Sequence, residues 1–126
     1  MNIHIRNTDN EPIYLQIARQ IRAQIVSGVL QEGEQLPSIR VLAKELKISM
    51  LTAKRAYDEL EAEGFVNSVQ GKGNFVAPQN REFLREAYLK KMEALLQEAS
   101  DLAAMAGVDD EALLRMLSNM LEGRYE

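Results

Sequence analysis

Apolar residues fall four apart near the start of the chain, at Ile13, Ile17, Ile21 and Ile25, with Ala18 and Val26 beside them. Positions i, i+4 and i+8 share one helical face, so this spacing predicts an amphipathic helix over 12–27. Pro12 suits its first turn, Asn10 is a candidate cap, and Gly28 can take the left-handed conformation that ends a helix. After a loop through Gly33 to Pro37, Ser38 is placed to cap a short second helix with Ile39, Leu42, Ala43 and Leu46 on its inner face. Lys47 and Ile48 then form a turn, Ser49 caps a third helix that reaches Glu63, and Gly64 ends it. At about 100° per residue, Ser49, Ala53, Ala56 and Leu60 fall on the packing side of the third helix. Leu51, Lys54, Arg55 and Asp58 lie opposite, with Met50 and Thr52 flanking.

The pattern next turns β-like. Phe65–Val69 and Asn74–Ala77 are short β-prone runs around Gln70-Gly71-Lys72-Gly73, whose glycines permit the positive φ of a tight hairpin. Pro78 closes this unit, and Asn80 can cap a long helix over about 81–106 that Gly107 breaks. Along it Tyr88, Met92, Leu95, Ala99, Leu102 and Ala106 recur at alternating spacings of four and three, and Leu89, Leu96 and Ala103 widen the stripe. A last helix, capped near Asp109, carries Leu113, Leu114, Leu117, Met120 and Leu121 on one face. Two such helices cannot bury both apolar faces alone, so a second copy of the chain is expected to complete their core. The expected fold class is mainly α with a small β-wing: a winged helix-turn-helix domain over 1–78, then a two-helix dimerisation domain over 79–126.

Composition narrows the chemistry. The 126 residues contain no Cys, which removes disulfides, thiolate metal sites and cysteine nucleophiles. The single histidine, His4, sits in an N-terminal arm expected to be flexible. No nucleophile–base pair or metal cluster can be assembled, so neither an enzyme nor a cofactor or metal site is expected. Asp109, Asp110 and Glu111 read as favourable charge at a helix N-terminus before they read as a metal site. No apolar run approaches the roughly 20 residues of a membrane span, and a signal peptide is missing, so a cytoplasmic protein without a membrane partner is expected.

Net charge is −4 with pI near 5.1, which at first argues against a nucleic-acid partner. Its distribution reverses the argument. Residues 1–80 are balanced, with nine Lys/Arg and nine Asp/Glu, so residues 81–126 carry the whole excess. Between Leu36 and Arg55 the basic residues Arg40, Lys44, Lys47, Lys54 and Arg55 meet one acid, Glu45. The two helices that would approach DNA are therefore locally basic. Further along, Asp58, Glu59, Glu61 and Glu63 leave only the N-terminal half of the third helix suited to a polyanionic groove. From spacing alone, a DNA-reading unit and a generic three-helix core fit equally.

Four segments carry a more specific likeness: P-I-Y-L-Q-I at 12–17, L-P-S-I-R at 36–40, L-T-A-K-R-A-Y-D-E-L-E-A-E-G at 51–64 and Q-G-K-G-N-F-V at 70–76. Together they resemble the GntR family of bacterial transcription regulators, and the short two-helix tail resembles its YtrA subfamily. The resemblance implies a sequence-specific DNA-binding homodimer, usually a repressor at an inverted-repeat double-stranded DNA operator, often controlling a transporter operon. It implies that Arg40 contacts DNA from the second helix, that Ser49, Thr52 and Lys54 meet phosphates or bases, and that Gly71 sits at a wing tip whose charge is Lys72. Ser38, Met50, Leu51, Arg55 and Gly73 complete the candidate DNA-binding set. The alternative for Arg40 is a surface arginine paired with an acid, which the intact L-P-S-I-R motif makes the weaker reading.

The chain departs from the family pattern at three positions. Met50 stands where the family often has Arg, which removes one bidentate partner for guanine. Met50 and Leu51 then either touch thymine methyls or pack beside the helix turn. Lys54 keeps the charge but loses the fork of the common Arg, and Val41 replaces the Glu of a capping box. Tyr88, Met92, Leu95, Leu96, Ala99, Leu102, Leu113, Leu117, Met120 and Leu121 are the expected dimerisation residues. Met92, Met105, Met116 and Met120 fit core packing better than an adaptable pocket, and no motif indicates a small-molecule effector. A different class of function is a winged-helix protein-interaction module that binds through Met50 and Leu51.

Overall fold

The computed structural model describes residues 1–7 and 10–125. In chain order it contains α1 (Ile13–Ser27), α2 (Ile39–Leu46), α3 (Met50–Ala62), β1 (Val66–Val69), β2 (Gly73–Val76), α4 (Arg81–Ala106) and α5 (Asp110–Tyr125). It forms two compact units, residues 1–84 and 85–126.

In the first unit α1 and α2 both pack on α3, and the antiparallel hairpin β1–β2 follows. Ile17, Ile21 and Ile25 supply the core from α1, Leu42 and Ala43 from α2, and Ala53, Ala56, Tyr57 and Leu60 from α3. Val66 and Val76 close it from the hairpin, and Leu84 in the first turn of α4 packs against it. Each fully buried aliphatic side chain contributes about 2 kcal/mol by leaving water. Arg22 on α1 forks onto the Glu63 carboxylate at the end of α3, with the Phe65 ring 5.8 Å from its guanidinium carbon.

Three local expectations are corrected. Asn10 does not cap α1: the N-cap is Pro12, with no side-chain cap bond, and its carbonyl accepts from both Leu15 and Gln16 N–H. The stretch from Gly33 to Pro37 is more than a loop, because Gly33 and Leu36 N–H donate to the Val76 and Asn74 carbonyls and Gln35 bridges Phe75. It forms a third, short rung on the hairpin. The N-terminal arm is tied down as well. Gln16, Gln20 and Gln24 stand one turn apart on α1, and their side-chain amides donate to the carbonyls of Arg6, His4 and Asn2. Helical steps of four residues and extended steps of two both advance about 6–7 Å, so the two backbones run in register. His4 N–H returns a bond to Gln20 Oε1, while Ile3 and Ile5 pack on the core.

Tyr57 is the largest wholly buried side chain, and its hydroxyl donates to the Pro37 carbonyl at 2.6 Å. This ties the middle of α3 to the segment that leads into α2. Burial, and secondarily the Glu45 carboxylate, push the phenol well above its ordinary value of about 10. The unfolded chain releases this proton near pH 10 while the folded chain keeps it, so the stabilisation is complete below that pH and is lost as pH rises above it. Tyr57→Phe is expected to cost about 1 kcal/mol at neutral pH and to flatten the decline of the urea midpoint above about pH 10. Equal alkaline slopes for the two proteins would overturn this.

In the second unit, Asp109 caps α5 by accepting from Ala112 N–H at 2.8 Å. Asn80 does the same for α4, through Phe83 N–H at 3.1 Å. No residue of α4 is buried, and no described side chain of α5 is buried either.

Candidate nucleic-acid interface

Two serines start the helices of the helix-turn-helix. Ser38 Oγ accepts from Val41 N–H at 3.1 Å, the half of a capping box that survives the loss of its Glu, and Ser49 Oγ accepts from Thr52 N–H at 3.0 Å. The Ser49 hydroxyl also donates to Thr52 Oγ1 at 2.8 Å. Ser49 is exposed, so its expected place on the packing face is corrected: its side chain folds over the helix end instead. Between the helices, Lys47 adopts a left-handed φ of 55°, and Lys47 and Ile48 N–H groups bond back to the Lys44 and Ala43 carbonyls.

Along α2, the turn and α3 the side chains of Arg40, Lys44, Lys47, Lys54 and Arg55 are all exposed. Their individual states differ. Arg40 has no hydrogen-bond or ion-pair partner among the described residues, which removes the reading of a surface arginine matched to an acid. Lys54 is held by Asp58, one turn on, at 2.7 Å. Arg55 lies over the face of Tyr14 of α1, 4.0 Å from the ring centre. Met50 is 55% and Leu51 75% exposed, so they do not pack beside the turn; they form the tip of α3. Leu51, Thr52 and Arg55 line an open cleft of about 310 Å³ with Pro12, Ile13 and Tyr14.

The wing presents Lys72 at its end. Gly71 and Gly73 have φ of 78° and 124°, and the Lys72 carbonyl accepts from the Gln35 side-chain amide at 3.0 Å. A Cβ on Gly73 would lie 2.9 Å from that same amide nitrogen. The third rung therefore holds the tip, and the φ of 124° at Gly73 favours glycine there, while a Cβ would also push the Gln35 amide aside.

Among the described residues no group of His, Cys, Asp or Glu is arranged to hold a metal, and no helix is long and apolar enough to cross a membrane. What the first unit does offer is a capped helix end, apolar at its tip and flanked by cations, beside a hairpin with a basic tip. A helix of this kind fits a major groove, and a basic hairpin fits the adjoining backbone.

Residues 13–76 match the model of the gntR family of bacterial regulatory proteins. The chain belongs to the GntR family. It is a transcription regulator with a winged helix-turn-helix. It is 32% identical over 111 residues to the HTH-type transcriptional repressor YtrA of Bacillus subtilis, covering 88% of this chain and 85% of that one. A GntR family transcriptional regulator from Listeria monocytogenes has a similar structure, at 32% identity and a TM-score of 0.66, over 88% of this chain and 96% of the other. The DNA-binding domain of AraR in complex with operator ORX1 is similar over 61% of the regulator and 96% of its own length, at 26% identity and a TM-score of 0.55.

Three residues that shape this face escaped the sequence reading. Tyr57 lies four residues after Ala53 and three before Leu60, so the helical stripe could have found it. The Lys54–Asp58 pair was also legible at i, i+4. Tyr14 and Gln35 reach their partners across the fold, and no local spacing signals them.

Proposed function

We propose that the regulator is a homodimeric repressor that binds an inverted-repeat operator, with the N-terminal half of each α3 in a major groove. The observation that carries this reading is a run of five exposed cations against one acid between Leu36 and Arg55, across α2, the turn and the capped first half of α3, in a chain whose net charge is −4. Arg40, Lys54 and Arg55 serve as phosphate or base contacts, the Ser38, Ser49 and Thr52 hydroxyls as shorter-range ones, and Met50 and Leu51 as apolar contacts to thymine methyls. Lys72 on the Gly71–Gly73 turn reaches the neighbouring backbone or minor groove.

The unit of residues 1–84 supplies this DNA-binding domain and that of residues 85–126 the dimerisation domain, six residues beyond the boundary expected at Pro78 because Leu84 packs on the first core. Leu95 at 64% and Leu102 at 60% exposure represent a stripe that a single chain leaves in water, with Tyr88, Met92, Leu96 and Ala99 along the same helix. On α5, Leu113, Leu117, Met120 and Leu121 form the matching face. An exposed stripe of this length supports a second copy of the chain as its cover. Met92, Met105, Met116 and Met120 are exposed in the single chain, so any core they join is built between copies. By its likeness to GntR regulators, the proposed target is a transporter operon.

Selection of bound sequences from a random duplex pool at moderate salt tests the reading. An inverted repeat with half-sites about one helical turn apart is the expected result. No enrichment at low or moderate salt overturns it and favours a protein-interaction module acting through Met50 and Leu51.

A further inference from the structure

Arg55 differs from Lys54, the other cation of α3, in how it is held. Lys54 shares its charge with the Asp58 carboxylate, one turn on at 2.7 Å. Arg55 makes no hydrogen bond and no ion pair among the described residues. It is nevertheless fixed, because its guanidinium carbon lies 4.0 Å from the centre of the Tyr14 ring. At that distance a guanidinium gains from the negative face of the ring. The ring offers no lone pair to the five N–H donors of the guanidinium, and none of them has a hydrogen-bond acceptor among the described residues. Tyr14 thus restricts the rotamers of a long side chain without using the groups that bind an anion. The Tyr14 hydroxyl likewise has no hydrogen-bond partner among the described residues.

Position decides the kind of anion. The exposed tip of α3 is Met50 and Leu51, whereas Arg55 lies a turn further along, on the flank that faces α1. When a helix tip enters a major groove, its flanks face the sugar–phosphate strands that border the groove. We propose that Tyr14 is a positioning residue for DNA binding: its ring pre-sets Arg55 to take a backbone phosphate at the edge of the half-site. This inference rests on the DNA-reading function proposed above.

The test uses the full-length dimer, with Tyr14→Leu, Tyr14→Phe, Arg55→Ala and the double variant Tyr14→Leu with Arg55→Ala. Each is titrated against the selected duplex and a scrambled one over a range of salt. Arg55→Ala is expected to weaken both duplexes about tenfold and to lower the slope of log affinity against log salt by about one, because a phosphate contact is blind to sequence. Tyr14→Leu is expected to lose about threefold to tenfold on its own and nothing further in the Arg55→Ala background. Tyr14→Phe keeps the ring face and should stay within about twofold of wild type.

A loss from Tyr14→Leu that persists undiminished without Arg55 overturns the inference, since Tyr14 would then act through the fold or by itself. Equal losses from the Phe and Leu variants overturn it as well, in favour of a hydroxyl contact. Should the wild-type chain retard no duplex, the DNA-reading function fails and takes this inference with it. Retardation that Arg40→Ala weakens and Arg55→Ala does not leaves that function standing and removes the inference alone.

Discussion

Leu95→Glu combined with Leu102→Glu is expected to yield a monomer that keeps a folded winged helix and loses about 100-fold or more of its operator affinity. Both side chains are exposed in the single chain, and no residue of α4 is buried, so the substitutions remove no contact on which the first unit depends. In a dimer the same positions would each place a carboxylate inside an apolar seam, where an unpaired charge is strongly disfavoured. Two linked half-sites exceed one by a factor of about 10² to 10⁴ through effective concentration, and a monomer forfeits that gain. Sedimentation equilibrium together with retardation of the selected duplex checks both halves. A dimer of unchanged stability would refute the assignment of the stripe, and a monomer of unchanged affinity would refute the bivalent reading.

The second large effect belongs to Arg40. Arg40→Ala is expected to weaken operator binding about tenfold and to lower the salt slope by about one, with no change in thermal stability, because the side chain is exposed and has no protein partner to lose among the described residues. Lys54→Ala should cost less, since the Asp58 carboxylate at 2.7 Å already offsets part of the charge that the ammonium offers to DNA. Asp58→Ala, by the same reasoning, should tighten binding a few-fold, as it frees the lysine and removes a negative charge from the polyanion's path. The pair is well exposed on both sides, so its loss should leave folding almost untouched. Titrations of the three variants at two salt concentrations suffice. Unchanged affinity in Arg40→Ala, or a weaker Asp58→Ala protein, would contradict this account of the face.

Much of this fold was legible in the chain because its signals are local. Ser38, Ser49, Asn80 and Asp109 each accept from the N–H three residues on, and a cap is a property of four consecutive residues. The isoleucine spacing of α1 and the Gly71–Gly73 turn are similarly short in range. The readings that failed are those whose partner lies elsewhere. Residues 2–6 alternate, with Ile3 and Ile5 set between polar neighbours, but the run is too short to name its partner, which is a row of glutamines on a helix that begins at Ile13. Residues 33–36 look like a loop in the sequence because their hydrogen-bond partners, Asn74 and Val76, come some forty positions later.

At the candidate site the same division holds. Residue identity by itself settled which side chains could carry charge, that the acidic half of α3 must stay out of a polyanionic groove, and that a chain without cysteine offers no thiolate chemistry. It could not rank the cations, because rank depends on neighbours: Asp58 occupies Lys54, Tyr14 fixes Arg55, and Arg40 is left open. Nor could it choose between exposed and packed places for Met50 and Leu51, since apolar residues at a helix tip satisfy either pattern. Periodicity reports which face a residue shares, and only the packing of α1, α2 and the hairpin around α3 decides what that face meets.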